Sequence, residues 1–405
     1  MFATLRFFVA LTFSFLVAST VALADKKYGP GVTDTEIKIG QTMAYSGPAS
    51  AFGTIGRAEA AYFAMINDEG GVNGRKIRLI SLDDGYSPPK TVEQTRKLVE
   101  QEEVLLIFGS LGTAANTAVQ KYLNGKHVPQ LFIASVSNKW NDPQHFPWTM
   151  AFPVPPRIEA GVYAKYLLTN APSARVAVLY QNDDYGKDYL SSLRQGLGAK
   201  ANSMIAAEAS YEVTDPTVDS QIVSLLSSGA NVLVNISTPK FGAMVIRKVY
   251  DLGWRPVHIL AAPASSVAAV LRPAGLERSV GLISATAYKD PTDPSWSSDP
   301  GMKQWLAWMR RYYPEGDIAD IYNVVGYTYA ETLVHVLKKC NDDLSRENVM
   351  RQAQNLRDFE SPVLIPGVKM STSPTDYVPV QALQLRRFDG NQWVRFGELI
   401  DLRAK

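Results

Sequence analysis

The residues best placed to bind a ligand lie where a short apolar strand gives way to a helix. The predicted strand ends at residues 107–109, and Gly112 and Thr113 open the next helix. The first N–H groups of a helix have no partner within it and carry a partial positive charge. With the Thr113 hydroxyl they could hold a carboxylate without a lysine or arginine. An ordinary N-cap by Thr113 is the alternative interpretation.

Side chains suited to acid–base, redox or metal chemistry are few. Cys340 is the single cysteine, so the chain can form no internal disulfide, CxxC pair or thiolate zinc site. The histidines are scattered without the short spacing that brings metal ligands together: His127, His145, His258 and His335. A net charge of +2 is too small to indicate the excess of positive charge that proteins use to bind nucleic acid. We therefore expect no catalytic residue, no metal and no cofactor, and no nucleic acid partner.

Three other motifs are weak. Residues 70–76 (GGVNGRK) lack the spacing of a phosphate-binding loop and precede a strand rather than a helix. The pairs Asp83–Asp84 and Asp183–Asp184 could suggest a cation site, but adjacent side chains at a strand end point to opposite sides. We expect each pair to lie in a solvated loop.

Residues 1–24 differ from the rest of the chain. Arg6 is their only charge, an apolar stretch covers residues 7–17, and residues 22–24 (ALA) form a small-x-small cleavage site. This pattern is typical of a cleaved secretory signal peptide. The polar residues that interrupt the stretch argue against a membrane anchor. We expect a protein that is exported to the periplasm.

The remaining sequence alternates between strands and helices. The first half contains predicted strands at residues 36–43, 77–82, 104–108 and 130–133 and helices at 53–64, 91–100 and 113–123. After a proline-rich connector at residues 146–156, strands are predicted at 175–180, 204–211, 232–236, 257–260 and 280–287. The helices among and after them are 157–168, 185–197, 218–228, 241–252, 301–313, 323–339 and 346–355, and a hairpin at 383–388 and 393–399 ends the pattern.

This alternation predicts two mainly parallel sheets, each with helices on both faces. Two such units joined by a short connector leave a cleft outside the carboxyl ends of the strands, which is where open α/β sheets bind ligands.

Four segments carry a resemblance to a known family. They are AYSGPASAFGTIGRAEAAYFAMINDEGGVNGRKIRLISLDDG (44–85), IFGSLGT (107–113), NDDYGKDY (182–189) and DLGW (251–254). In these strings and in the order of its elements, the chain resembles the extracytoplasmic solute-binding proteins of ABC importers, in the branched-chain amino acid branch. The resemblance implies the type I periplasmic binding protein fold, with two lobes, three hinge crossovers and closure of the lobes on a small solute.

The resemblance also implies where the lobes and the ligand lie. Lobe one would comprise residues 25–151 plus 286–379, and lobe two residues 152–285 plus 380–405. A carboxylate would be held by Gly112 and Thr113 and by the partner loop Ser135, Val136 and Ser137. The remaining implied ligand residues are Ser46, Phe52, Tyr185, Thr238, Pro263, Ala264 and Tyr322.

Two departures from the family pattern concern the ligand and the cleft loop. Amino acid binders of the family are expected to carry an acid after the strand at 257–260, because a buried ammonium needs a counter-charge. Residues 261–266 here are AAPASS. Either another carboxylate such as Asp183 or Asp184 substitutes, or the ligand is an organic acid or amide. The family's cysteine pair is also missing, with Tyr86 and Gly112 in its places.

The sequence thus favours a monomeric, non-enzymatic receptor that delivers a small carboxylate solute to an ABC permease. The ligand could be an amino acid, or an aromatic or aliphatic acid or amide. Two rivals remain: a secreted hydrolase that uses Ser135, although no nucleophile-elbow pattern surrounds it, and a ligand-presenting partner of a sensor.

Overall fold

The computed structural model describes residues 26–402, so the predicted signal peptide at residues 1–24 lies outside the described residues. The first strands are β1 (Lys27–Tyr28), β2 (Glu36–Met43), β3 (Lys76–Asp83), β4 (Leu106–Phe108), β5 (Gln130–Ile133), β6 (Thr149–Ala151) and β7 (Val176–Gln181). The later strands are β8 (Ile205–Tyr211), β9 (Val232–Ile236), β10 (Val257–Leu260), β11 (Ile283–Thr286), β12 (Asp343–Leu344), β13 (Ala382–Phe388) and β14 (Trp393–Asp401).

Helices separate most of these strands. The first six are α1 (Gly53–Asp68), α2 (Pro88–Arg96), α3 (Thr113–Gly125), α4 (Pro156–Asn170), α5 (Asp184–Leu197) and α6 (Ala201–Met204). The other six are α7 (Asp219–Ser227), α8 (Pro239–Asp251), α9 (Arg272–Ala274), α10 (Pro300–Tyr312), α11 (Ile321–Lys339) and α12 (Arg346–Ala353). No helix within residues 26–402 has the length and apolar character needed to cross a membrane.

The first large sheet has five strands in the order β3-β2-β4-β5-β6, and all its neighbours are parallel. Strands β4 and β5 are fully buried, as expected for the inner strands of a sheet covered on both faces. Parallel strands end at the same edge, so the loops after β4 and β5 lie side by side.

The second large sheet has seven strands in the order β14-β13-β11-β10-β9-β7-β8. Strands β7 to β11 run parallel, and the predicted terminal hairpin β13–β14 joins them antiparallel to β11. A short separate sheet pairs β1 with β12.

The chain passes between the two halves of the molecule three times. It leaves the five-stranded sheet after β6, leaves the seven-stranded sheet after β11, and returns to it at β13. Between the last two passages, α11 packs against α1 of the first half; Gly326 allows this approach, because a Cβ there would collide with the Ile55 carbonyl. The lobe boundaries at residues 151, 285 and 379 stay predictions.

Two predicted elements have different bounds for clear physical reasons. The strand predicted at 280–287 starts only at Ile283, because Gly281 has a positive φ of 88° and Val280 is exposed. The helix predicted to start at residue 323 starts at Ile321, because the Asp320 carboxylate accepts a hydrogen bond from the Tyr322 N–H at 3.1 Å.

Candidate ligand-binding site

A cavity of about 150 Å³ lies between the two sheets, at the carboxyl ends of their strands. An apolar cavity of about this size holds a benzene ring in another protein, so the volume suits a small solute. Its lining comprises Phe52, Ile55, Tyr86, Leu111, Gly112, Thr113, Ala134, Ser135, Val136, Pro153, Val154, Glu159, Tyr185, Thr238, Ala262, Pro263, Ser265, Ala285, Thr286, Ala287, Tyr288, Ile321, Tyr322, Val325, Tyr329, Leu383 and Arg386.

Most of the residues that the sequence singled out are brought together here. The cavity lining contains Phe52, Gly112, Thr113, Ser135, Val136, Tyr185, Thr238, Pro263 and Tyr322. They come from both halves of the molecule, so the cavity is shared between the lobes.

Three residues singled out from the sequence lie off the cavity. Ser46 is exposed, and its hydroxyl donates to Asp83 at 2.6 Å. Ser137 is buried and donates instead to the carboxylate of Asp188, across the cleft on α5. Ala264 is fully buried within the loop that follows β10.

Thr113 and Ser135 form a hydroxyl pair, with 2.9 Å between Oγ1 and Oγ. Thr113 does not cap α3, because the helix starts at Thr113 and the preceding Gly112 holds the cap position. The Gly112 N–H already donates to the Ala134 carbonyl, at 3.1 Å, and is therefore not free for a ligand. The polar groups left at this end of the cavity are the two hydroxyls and the first N–H groups of α3.

The hydroxyl pair has one hydrogen that neither Trp140 nor the pair itself uses. The Trp140 indole Nε1–H donates to Ser135 Oγ at 2.9 Å, and an indole can only donate. The two hydroxyls hold two hydrogens, of which one is used in the bond between them. The other has no acceptor among the described residues, so the pair presents a hydrogen-bond donor to a ligand.

Tyr86 and Gly112, the two residues expected at the positions of the family's cysteine pair, pack against each other. Gly112 has a φ of 97°, and a Cβ there would come within 2.7 Å of the Tyr86 ring. The loop before α3 is thus held by ring packing. Burial raises the pKa of Tyr86, so the phenol is neutral at physiological pH.

Aromatic side chains from both lobes line the cavity. Phe52 and Tyr322 pack with ring centroids 5.0 Å apart, and the Tyr322 hydroxyl donates to the Pro263 carbonyl across the cleft. Tyr185 comes from the first turn of α5, and its hydroxyl donates to the Ser237 carbonyl at 3.3 Å. These rings leave an apolar space between the polar groups.

Two charged residues of the lining were missed by sequence reasoning, Glu159 and Arg386. Both are almost fully buried. Glu159 Oε1 accepts hydrogen bonds from the Tyr163 hydroxyl at 2.6 Å and from the Ala262 N–H at 2.7 Å. Arg386 donates to Asp290 and to Ser265, each at 2.6 Å.

The signals for these two residues are weak in the sequence. Glu159 lies in the first turn of α4, where an acid is favoured by the helix dipole alone. Arg386 lies within the strand β13, and nothing in its neighbours distinguishes a buried arginine from an exposed one. The alternative candidates Asp183 and Asp184 do not line the cavity: Asp183 caps α5, and Asp184 pairs with Lys139 at 3.0 Å.

Comparisons with known proteins agree with this architecture. A family model described as "Periplasmic binding protein" matches residues 36–392. The "Leu/Ile/Val-binding protein homolog 7" of Brucella abortus is 23% identical over 335 residues, which cover 80% of this chain and 82% of that protein.

Solved structures extend the likeness to the fold. A branched-chain amino acid ABC transporter protein from Thermus thermophilus with bound valine gives a TM-score of 0.81 at 15% identity, covering 92% of this chain and 98% of that one. A solute-binding protein of an ABC transporter from Rhodopseudomonas palustris, in complex with 3,4-dihydroxybenzoic acid, gives 0.78 at 18% identity, covering 91% and 98%. The predicted two-lobed α/β fold is therefore confirmed.

Proposed function

We propose that this chain is the solute-binding component of an ABC importer of the Leu/Ile/Val-binding type. The proposal starts from the fact that the chain belongs to the periplasmic binding protein family. In this proposal the protein is exported to the periplasm by the segment at residues 1–24, captures a small carboxylate between its lobes as a monomer, and delivers it to a membrane permease. It performs no chemistry on the solute.

The single observation that carries this proposal is the hydroxyl pair of Thr113 and Ser135. Its spare hydrogen, which Trp140 cannot accept, is a neutral donor at the edge of an aromatic cavity. Hydrogen bonds from neutral donors and helix N–H groups can hold an anion without a counter-ion. The ligands of the Thermus and Rhodopseudomonas proteins, valine and dihydroxybenzoic acid, both carry such a carboxylate.

Glu159 is the observation that favours an amino acid as the solute. The acid expected after β10 is absent, yet the Glu159 carboxylate lies at that segment in space, bonded to the Ala262 N–H. Arg386 is paired with Asp290, so Glu159 is the cavity-lining carboxylate with no ion-pair partner of its own among the described residues. Burial raises the pKa of Glu159, and a ligand ammonium would compensate its charge.

The surroundings of Ser135 support binding over hydrolysis. Its Oγ contacts the Thr113 hydroxyl and the Trp140 indole, and neither group is a base that could activate a nucleophile. Turnover of an ester or amide that disappears in Ser135→Ala would favour the hydrolase instead. Capture of a receptor domain, with uptake unchanged in a deletion strain, would favour the sensor partner.

A thermal-shift screen of the mature protein tests the proposal. The panel contains leucine, its keto acid 4-methyl-2-oxopentanoate, and benzoate. A ligand present at about 100 times its Kd stabilises the folded state by roughly 2.7 kcal/mol, which raises the Tm measurably. We expect at least one acid of the panel to do so, and a panel without any shift would contradict the proposal.

The variant Glu159→Gln decides between the two solute classes. The amide oxygen of glutamine can still accept from Tyr163 and Ala262, so the loop after β10 keeps its support. If Glu159 pairs with an ammonium, the wild type prefers leucine over the keto acid and the variant loses that preference. A wild type that prefers the keto acid would assign the solute to the organic acids.

A further inference from the structure

Two tyrosine hydroxyls on the cavity have no hydrogen-bond partner among the described residues, those of Tyr288 and Tyr329. Two other cavity tyrosines differ in this respect, because Tyr185 and Tyr322 donate to carbonyls in lobe two. The Tyr185 and Tyr322 hydroxyls thus support the architecture of the cleft, whereas those of Tyr288 and Tyr329 remain available to a ligand.

The surroundings of the two rings support this distinction. Burial alone raises the pKa of Tyr288, since no hydrogen bond and no charged side chain acts on its hydroxyl. Burial is also the main cause that raises the pKa of Tyr329, and Tyr288 contributes as a neighbour. The ring of Tyr329 is fixed by packing against Phe152, with centroids 4.2 Å apart. Neither hydroxyl oxygen is among the fully buried polar atoms that lack a partner, so both are accessible in the cavity lining, where a ligand oxygen could bond to them.

The two tyrosines belong to other elements than the Thr113–Ser135 pair. Tyr322, Val325 and Tyr329 lie on one face of α11, and all three line the cavity. Seven residues separate Tyr322 from Tyr329, which is about 10 Å along the helix. Tyr288 follows β11, in the segment where the chain leaves the seven-stranded sheet.

We infer that the Tyr288 and Tyr329 hydroxyls form a second polar subsite, which hydrogen-bonds an oxygen on the hydrocarbon part of the solute. This inference rests on the proposed function, because it assumes that the cavity holds a carboxylate. It names the solute class more narrowly: an acid or amino acid whose body carries a hydroxyl or carbonyl oxygen. A phenol both donates and accepts, so either oxygen type fits.

Isothermal titration with matched ligand pairs tests the second subsite. The pairs are 4-methylbenzoate with 4-hydroxybenzoate, and norvaline with homoserine; in each pair a methyl group is replaced by a hydroxyl. They are titrated into the wild type, Tyr288→Phe, Tyr329→Phe and the double variant. Tyr250→Phe is the control, because Tyr250 is exposed on lobe two and off the cavity.

We expect the hydroxylated member of at least one pair to bind the wild type and Tyr250→Phe about threefold to tenfold more tightly than its parent. The double variant should bind both members equally. A wild type without any preference, or a preference that survives in the double variant, would overturn the inference.

The experiment separates failure of this inference from failure of the proposed function. If the methyl parents bind and no preference appears, the second subsite is refuted and the solute receptor stands. If no member of these pairs binds and the leucine, keto acid and benzoate panel also gives no Tm shift, the proposed function is refuted and the subsite with it.

Discussion

Trp140 acts on the ligand site without lining the cavity. Its indole can only donate, so it takes neither hydroxyl hydrogen, and one of the two is left for a ligand after the bond between Thr113 and Ser135 is made. A neutral donor holds a carboxylate without the desolvation cost of a buried cation. This arrangement suits a receptor that must bind its solute and then release it.

Replacing Thr113 with valine tests the hydrogen bond from the hydroxyl pair to the ligand carboxylate. Valine has nearly the shape of threonine, and Thr113 is buried, so the change removes the hydroxyl and little else. A hydrogen bond to a charged group contributes about 1.5–3 kcal/mol, so we expect the Kd of the best acid of the panel to rise roughly tenfold to hundredfold. Isothermal titration measures the change.

Ser46→Ala is the matched control for that variant. Ser46 was also expected to contact the ligand, but its hydroxyl bonds to Asp83 and the residue lies off the cavity. We expect its Kd to equal that of the wild type. A Kd for Thr113→Val within about twofold of the wild-type Kd would show that the Thr113 hydroxyl does not contribute to binding the carboxylate.

The site residues that the sequence could predict are those that follow strand ends. Thr113 opens the helix that follows β4, and Ser135 lies in the loop that follows β5; parallel neighbours place such residues together. Glu159 and Arg386 reach the cavity from the first turn of a helix and from within a strand, so their side-chain direction depends on packing. One-dimensional patterns contain no information on that direction.

Helix α11 connects the two lobes through its first turn. Asp320 caps the helix, and its carboxylate also accepts a hydrogen bond from Ser266 of the other lobe at 2.8 Å. Burial raises the pKa of Asp320 to about 6, against the lowering effect of these hydrogen bonds. The folded state therefore binds a proton that the unfolded chain, with a carboxyl pKa near 3.8, has already lost.

The pH dependence of stability tests the state of Asp320. A raised carboxyl pKa stabilises the fold below about pH 3.8, and this contribution is lost as the pH rises through about 6. Asparagine keeps the cap and an acceptor for Ser266 but does not ionise. We therefore compare the unfolding free energy of Asp320→Asn with that of the wild type at pH 4 and at pH 7. The variant's value relative to the wild type should be about 1–3 kcal/mol higher at pH 7 than at pH 4.

Urea unfolding at the two pH values measures that difference. The comparison between variant and wild type removes the contributions of all other carboxyl groups. A difference in unfolding free energy that is the same at pH 4 and pH 7 would show that the Asp320 carboxyl keeps its ordinary pKa in the folded protein.

Most elements could be predicted because their apolar patterns are regular. The bounds of β2, β5, β9 and β10 agree with the sequence prediction residue for residue. Strand β6 was missed, since its three residues lie within the proline-rich connector and pair only with β5. Such short strands form because a neighbouring edge is available, and that edge exists only in the folded sheet.

At the scale of the whole molecule, the two lobes contact each other on both sides of the cavity. On one side Asp188 accepts from Ser137 and from the Asn138 N–H, the latter at 2.9 Å, and Lys139 pairs with Asp184. On the other side lie the bonds of Ser266 with Asp320 and of Tyr322 with Pro263. These contacts are polar, so they can break and form again when the lobes separate and close.

The central claim is that the lobes close over a bound acid, and small-angle X-ray scattering tests it most directly. The radius of gyration is measured for the mature protein with and without a saturating amount of the acid that raises the Tm most. We predict a larger radius for the free protein and a smaller one for the complex, because closure brings the two sheets together. A radius that stays unchanged at a concentration where titration proves full binding would contradict the account.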